Sequence, residues 1–163
     1  MRHLTFAALL LSACTSREPE VGITFDPCSP LVITPAEGAA PHEVQSIRDA
    51  VAAWSLVLPV TIEVADPPQP DPRLPLRFES GDTFFRAIYW DDVGQIWVGR
   101  DQLAPENYAI AIAHELGHAF GLLHVPNEER PSVMNVGNLE LVPNEQDARD
   151  VAALWDSCNA PAN

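Results

Sequence analysis

Apolar and polar positions change their period several times along the chain, and each change marks an element. Residues 21–25 and 31–34 are short, apolar and rich in β-branched side chains, so they read as strand or extended chain. At Pro41 the period lengthens. Proline suits the first turn of a helix, and Val44, Ile47, Val51 and Trp54 then recur at helical spacing, which predicts an amphipathic helix to about Val57. Pro59 stops it. Strand character returns at 60–64 and 74–79, separated by the proline-rich connector 66–72, and Ser80-Gly81-Asp82 reads as a turn. The runs 84–90 and 95–99 are strands on either side of Asp91-Asp92-Val93-Gly94, a hairpin turn.

Helical spacing resumes near Pro105 and Glu106, a proline and an acid suited to a helix N-terminus. Tyr108, Ile112, Leu116 and Phe120 form an i, i+4 row, so one face of this helix belongs to the core. A polar, proline-bounded loop follows over 125–131. Asn144 is an N-cap candidate with Asp147 three residues on, and Ala148, Val151, Ala152, Leu154 and Trp155 fit a closing amphipathic helix. Strand, helix, several strands, then two helices describe an α+β domain. A chain of 163 residues has room for one such domain with a sizeable core.

Charge narrows the partners. Asp and Glu number 23 against nine basic residues, all arginine, for a net charge of −14. That balance argues against nucleic acid as a partner, because its phosphates would be repelled.

Residues 1–13 read as a leader. Arg2 precedes the short apolar run 4–11, which is too brief for the roughly 20 residues of a membrane-spanning helix. The run ends Leu11-Ser12-Ala13-Cys14, which resembles the lipobox of bacterial lipoproteins. That resemblance implies lipidation of Cys14, a polar tether over 14–20 and a protein exported to the bacterial cell envelope and held at a membrane. The folded domain then spans 21–158, with a tail over 159–163.

The candidate chemistry lies in one stretch, His114-Glu115-Leu116-Gly117-His118-Ala119-Phe120-Gly121-Leu122-Leu123-His124. His114 and His118, four apart on a helix, sit on one face, one turn apart. Gly121 can adopt the left-handed conformation that ends a helix and lets the chain turn back with His124. Three neutral histidines with a fourth position open are what a catalytic Zn²⁺ needs. Glu115, next to the first ligand, can reach water at the metal and take its proton. Three of the five histidines of the chain lie in this motif; His3 is in the leader and His42 reads as a surface residue.

These residues resemble the zinc signature H-E-x-x-H-x-x-G-x-x-H of the metzincin metalloproteases, and Ser132-Val133-Met134-Asn135 resembles their Met-turn. The short spacing from His124 to Met134 is similar to that of compact members such as the matrixins. The resemblance implies a zincin-like catalytic domain: a twisted mixed sheet with an antiparallel edge strand, a central zinc-binding helix and a C-terminal helix. It implies Met134 as an apolar floor beneath the metal, and an edge strand to which a peptide adds as an extra strand; by order, 84–90 is the candidate. It also suggests calcium at Asp91 and Asp92, as in matrixin loops. Val125 stands where several subfamilies place a polar residue, no tyrosine follows Met134, and His42 alone is spare. Neither an added tyrosine ligand nor a second zinc is therefore expected.

Cys28 and Cys158, near the two ends of the domain, are expected to form a disulfide in an oxidising compartment. The rival role for Cys28 is an inhibitory thiol over the zinc, but Asp26-Pro27-Cys28-Ser29-Pro30 does not match the matrixin propeptide motif. The expected protein is a monomeric, membrane-tethered zinc endopeptidase acting on a peptide or protein substrate. The alternative is a catalytically silent zinc-binding lipoprotein that recognises peptides.

Overall fold

The computed structural model describes residues 22–65 and 73–159. Alternation of burial along the strands builds one mixed sheet. Its strands are β1 (Leu31–Pro35), β2 (Ile62–Val64), β3 (Arg73–Glu79), β4 (Ala87–Trp90) and β5 (Gln95–Gly99), in the spatial order β2-β1-β3-β5-β4. All pairs are parallel except β4 with β5, where Ala87 faces Val98 and Tyr89 faces Ile96. The β4–β5 hairpin turns at Gly94, whose φ of 63° favours glycine. β4 is thus an outer, antiparallel strand, the position expected for the run 84–90.

Leu31, Ile33, Leu74, Leu76, Phe78, Ile96 and Val98 point to one face and are buried there. Two helices cover that face. α1 (Pro41–Ser55) contributes Ile47, Ala50, Val51 and Trp54, and α2 (Tyr108–Ala119) contributes the row Tyr108, Ile112 and Leu116, continued by Phe120. Each such large apolar side chain, fully buried, stabilises the fold by about 1.5–3 kcal/mol. Trp54 packs edge-on against Phe120, and its Nε1 donates to the Ala113 carbonyl at 2.9 Å, which ties α1 to α2. α3 (Glu145–Leu154) closes the fold behind the loop that follows α2. The result is an α+β architecture of five strands and three α-helices among the described residues.

Several boundaries differ from the pattern reading. Residues 84–86 leave the ladder; Phe84 is exposed, and only the Arg86 carbonyl, bonded to the Gly99 amide, continues the pairing. Residues 22–25 form no ladder either. Isolated bonds pin them: the Ile23 amide donates to the Asp91 carbonyl at 2.8 Å, the Ile23 carbonyl accepts the Tyr89 hydroxyl, and the Phe25 amide donates to the Ala119 carbonyl at 2.7 Å. A 3₁₀ turn, Pro105–Asn107, precedes α2, so Pro105 opens a tighter turn than expected. The capping box of α3 forms as read: Asn144 Oδ1 accepts from the amides of Gln146 and Asp147, and the Asp147 carboxylate accepts from the Asn144 amide.

Cys28 and Cys158 are joined in a disulfide across 130 residues of sequence. In the chain-entropy picture a loop of that size is worth about 4–5 kcal/mol. The leader, Cys14, the tether, the connector 66–72 and residues 160–163 lie outside the described residues. No described helix is long and apolar enough to cross a membrane.

Candidate metal centre

α2 carries two of the three motif histidines on the face opposite its core row. Gly121, with φ of 98°, then ends the helix. Its amide bonds the His118 carbonyl and the Leu122 amide bonds the Gly117 carbonyl, both at 2.9 Å, which is the Schellman arrangement. The turn brings His124 back to the helix. Nε2 of His124 lies 3.2 Å from Nε2 of His114 and 3.2 Å from Nε2 of His118. Two ligands on a tetrahedral ion with metal–nitrogen bonds of about 2.0–2.1 Å would be about 3.3 Å apart. The spacing therefore fits a single small ion.

The far ring nitrogens decide the tautomers. His114 Nδ1 sits 2.7 Å from the Val133 carbonyl, and His118 Nδ1 sits 2.8 Å from the Leu122 carbonyl. A carbonyl oxygen only accepts, so both Nδ1 atoms carry hydrogen. In the neutral rings both Nε2 atoms then present lone pairs, aimed at the same small space as His124 Nε2. Three nitrogens converge there with at most one proton among them. Such a set could hold a cation, and backbone carbonyls orienting the outer nitrogens are the usual support of metal-binding histidines. Burial holds His114 below the usual histidine range and pushes His118 down to about 4, so the ligating neutral form prevails at neutral pH.

Glu115 is buried beside the histidines. Its Oε2 accepts the Tyr89 amide of β4 at 2.7 Å. Burial pushes its carboxyl up to about 7 despite that bond. The three histidines, Glu115, Tyr89 and Leu139 line a cleft of about 700 Å³, with β4 along one wall.

Met134 lies fully buried under the same helix. A Cβ placed on Gly117 would come 2.2 Å from Met134 Sδ, so glycine at this position lets the thioether lie against the helix backbone. His42 is away from the centre, stacked on Tyr108. Among the described residues neither Asp91 nor Asp92 joins two other candidate ligands; Asp91 instead packs against Gly22. The other close trio, Asp26, Cys28 and Cys158, has its sulfurs in the disulfide, and the Asp26 carboxylate accepts from Ser29, Ser157 and the Cys28 amide.

Four contributors are not marked in the residue pattern. The Val133 and Leu122 carbonyls orient the rings through main-chain atoms, which leave no mark in a sequence. The Tyr89 amide holds Glu115 in the same way. Asp147, read only as a helix-capping acid, reaches into the Met134 loop, and no pattern of residue types distinguishes that from capping alone.

No protein-family model matches the chain, and no curated protein matches it. Among solved structures, that of myroilysin is similar, with a TM-score of 0.48 at 16% identity over 62% of this chain and 52% of that one. The chain spans about half the length of that structure.

Proposed function

We propose that this chain is a zinc-dependent endopeptidase of the metzincin type. One observation carries the reading: three histidine Nε2 atoms meet at 3.2 Å separations, two with tautomers fixed by carbonyls, beside a buried glutamate. His114, His118 and His124 would hold the ion, and nitrogen ligands in that geometry suit zinc. The chemistry a zinc ion supplies when bound is Lewis acidity toward a carbonyl oxygen and a water. Glu115 would take a proton from a water in the cleft on one carboxylate oxygen while the Tyr89 amide holds the other, and would return it to the leaving amine. No covalent intermediate with the protein is needed. β4, an outer strand, offers main-chain groups to an extended peptide lying in the cleft. Met134 floors the site without ligating. The motif at 114–124 and the Met-turn at 132–135 support this assignment by their resemblance to the family.

The decisive chemical test is chelator-sensitive hydrolysis of several unfolded protein substrates. The expected result is cleavage that stops on removing metal and returns with zinc; a zinc-loaded chain that binds peptides but cuts none would leave only the silent, peptide-recognising alternative. We also propose that the domain works as a monomer, tethered through lipidated Cys14 in the bacterial cell envelope. The wild type should then partition into detergent, and Cys14→Ser should stay in the aqueous phase; equal partitioning of the two would end the tether proposal.

A further inference from the structure

We propose that Asp147 is a positioning residue for the metal centre, holding the Met134 loop in the one shape that orients His114 and seats the chain after His124. The inference rests on the metal-binding reading of the three histidines. Asp147 is fully buried on α3, and its carboxylate accepts four hydrogen bonds. Oδ1 takes Arg130 Nη1 at 2.8 Å and Ser132 Oγ at 2.5 Å, and Oδ2 takes the amides of Val133 and Asn144, each at 3.1 Å.

Only the Asn144 bond belongs to the helix cap. The other three donors come from the loop between His124 and α3. A carboxylate kept wholly out of water is costly unless such donors and a counter-charge surround it. Arg130 supplies the charge, and its other terminal nitrogen bonds Asp150, one turn further along α3.

From this anchor two bonded paths lead to the ligands. The first is direct: the Val133 amide is fixed by Asp147, and the carbonyl of the same residue takes His114 Nδ1 at 2.7 Å. In the second, Ser132 Oγ accepts the Met134 amide at 3.0 Å, and the Met134 carbonyl accepts the Val125 amide at 3.0 Å. Asn135 closes this path, accepting the Ser132 amide and donating to the Val125 and Arg130 carbonyls. Val125 directly follows His124. One carboxylate therefore governs the ring orientation of one ligand and the placement of another, although it touches neither.

The test is zinc affinity of the metal-free full chain, measured by competition with a chromophoric chelator, with the visible spectrum of the cobalt-loaded protein as a second readout. Asp147→Asn puts an NH₂ where two donors already point. It should weaken zinc binding roughly 10–100-fold and alter the cobalt spectrum. Ser132→Ala, which leaves Asp147 and the α3 cap in place, should move both readouts in the same direction. Glu43→Gln is the control: it removes a buried, ion-paired carboxylate whose partners are Ala40 and Arg100 and not the Met134 loop or the three ligands, so it should lower the melting temperature and leave both readouts unchanged. Asp147 is merely structural if its variant and Ser132→Ala bind zinc as the wild type does, or if Glu43→Gln weakens zinc as much. A wild type that binds no zinc would overturn the metal-centre reading and this inference together, whereas unaltered variants of a zinc-binding wild type would overturn this inference alone.

Discussion

The Tyr89 amide on the outer strand β4 donates to Glu115 Oε2 on α2 at 2.7 Å. The strand that walls the cleft thus also holds the candidate general base. Glu115 adjoins His114 in sequence, so this one bond ties the sheet edge to the helix turn that carries His114 and His118. It also leaves the second carboxylate oxygen of Glu115 free for chemistry.

That geometry gives Glu115 a measurable signature in the metal-free protein. Burial raises its carboxyl from 4.5 to about 7. A group whose folded value lies above its unfolded one binds its proton more tightly when folded, so ionising it subtracts from stability as pH rises through that window. Metal-free Glu115→Gln should therefore match the wild type in acid and exceed it above the window, by about 3 kcal/mol. Urea denaturation in the presence of chelator at both ends of the window measures this. A difference that does not change with pH would mean that the carboxyl is not desolvated as described.

Gly117 and Met134 form a second coupled pair, since a Cβ on Gly117 would meet Met134 Sδ at 2.2 Å. Gly117→Ala should destabilise by about 1–3 kcal/mol through overpacking, although alanine is the better helix former. Met134→Ala should cost about 2–5 kcal/mol through the cavity it leaves. The double variant should cost clearly less than the sum, because the smaller side chain at 134 makes room for the added methyl. A double-mutant cycle by urea denaturation checks this, and strict additivity would contradict the packing.

Far from the cleft, Glu43 caps α1 and pairs with Arg100. Its Oε2 accepts the Ala40 amide at 2.8 Å, and both its oxygens receive guanidinium nitrogens. Burial alone would raise this carboxyl, but the Arg100 and Ala40 bonds outweigh burial and hold it below 4.5. The sign is opposite to that of Glu115. The stabilisation is fully present above 4.5 and disappears as pH falls through the lower folded value. Glu43→Gln should destabilise by about 2–4 kcal/mol at neutral pH, with the gap to the wild type narrowing in acid. Thermal denaturation at neutral and acidic pH measures it.

Much of the fold and the centre of the site could be read from residue order because chemistry constrains spacing there. Two histidines that share an ion on one helix must be three or four apart, a glycine must end that helix for His124 to return, and Tyr108, Ile112 and Leu116 must repeat at the helical period to be buried. Asn144 and Asp147 announce the α3 cap for the same reason. What could not be read depends on main-chain atoms or on packing between distant segments. The carbonyls of Val133 and Leu122 and the amide of Tyr89 belong to every residue type alike. Residues 84–86 leave the ladder with Phe84 exposed, and residues 22–25 are pinned by Asp91, Tyr89 and Ala119, contacts between segments distant in sequence. Asp147 shows the limit most plainly: the same residue satisfies a cap and anchors the Met134 loop, and only its partners distinguish the two roles.

The most direct test of the central claim is Glu115→Ala, assayed for bound zinc and for peptide cleavage in the same preparation. A zinc endopeptidase with Glu115 as its base should keep one zinc per chain on His114, His118 and His124 and lose cleavage by several orders of magnitude. A variant that holds zinc and cleaves as fast as the wild type would contradict the account.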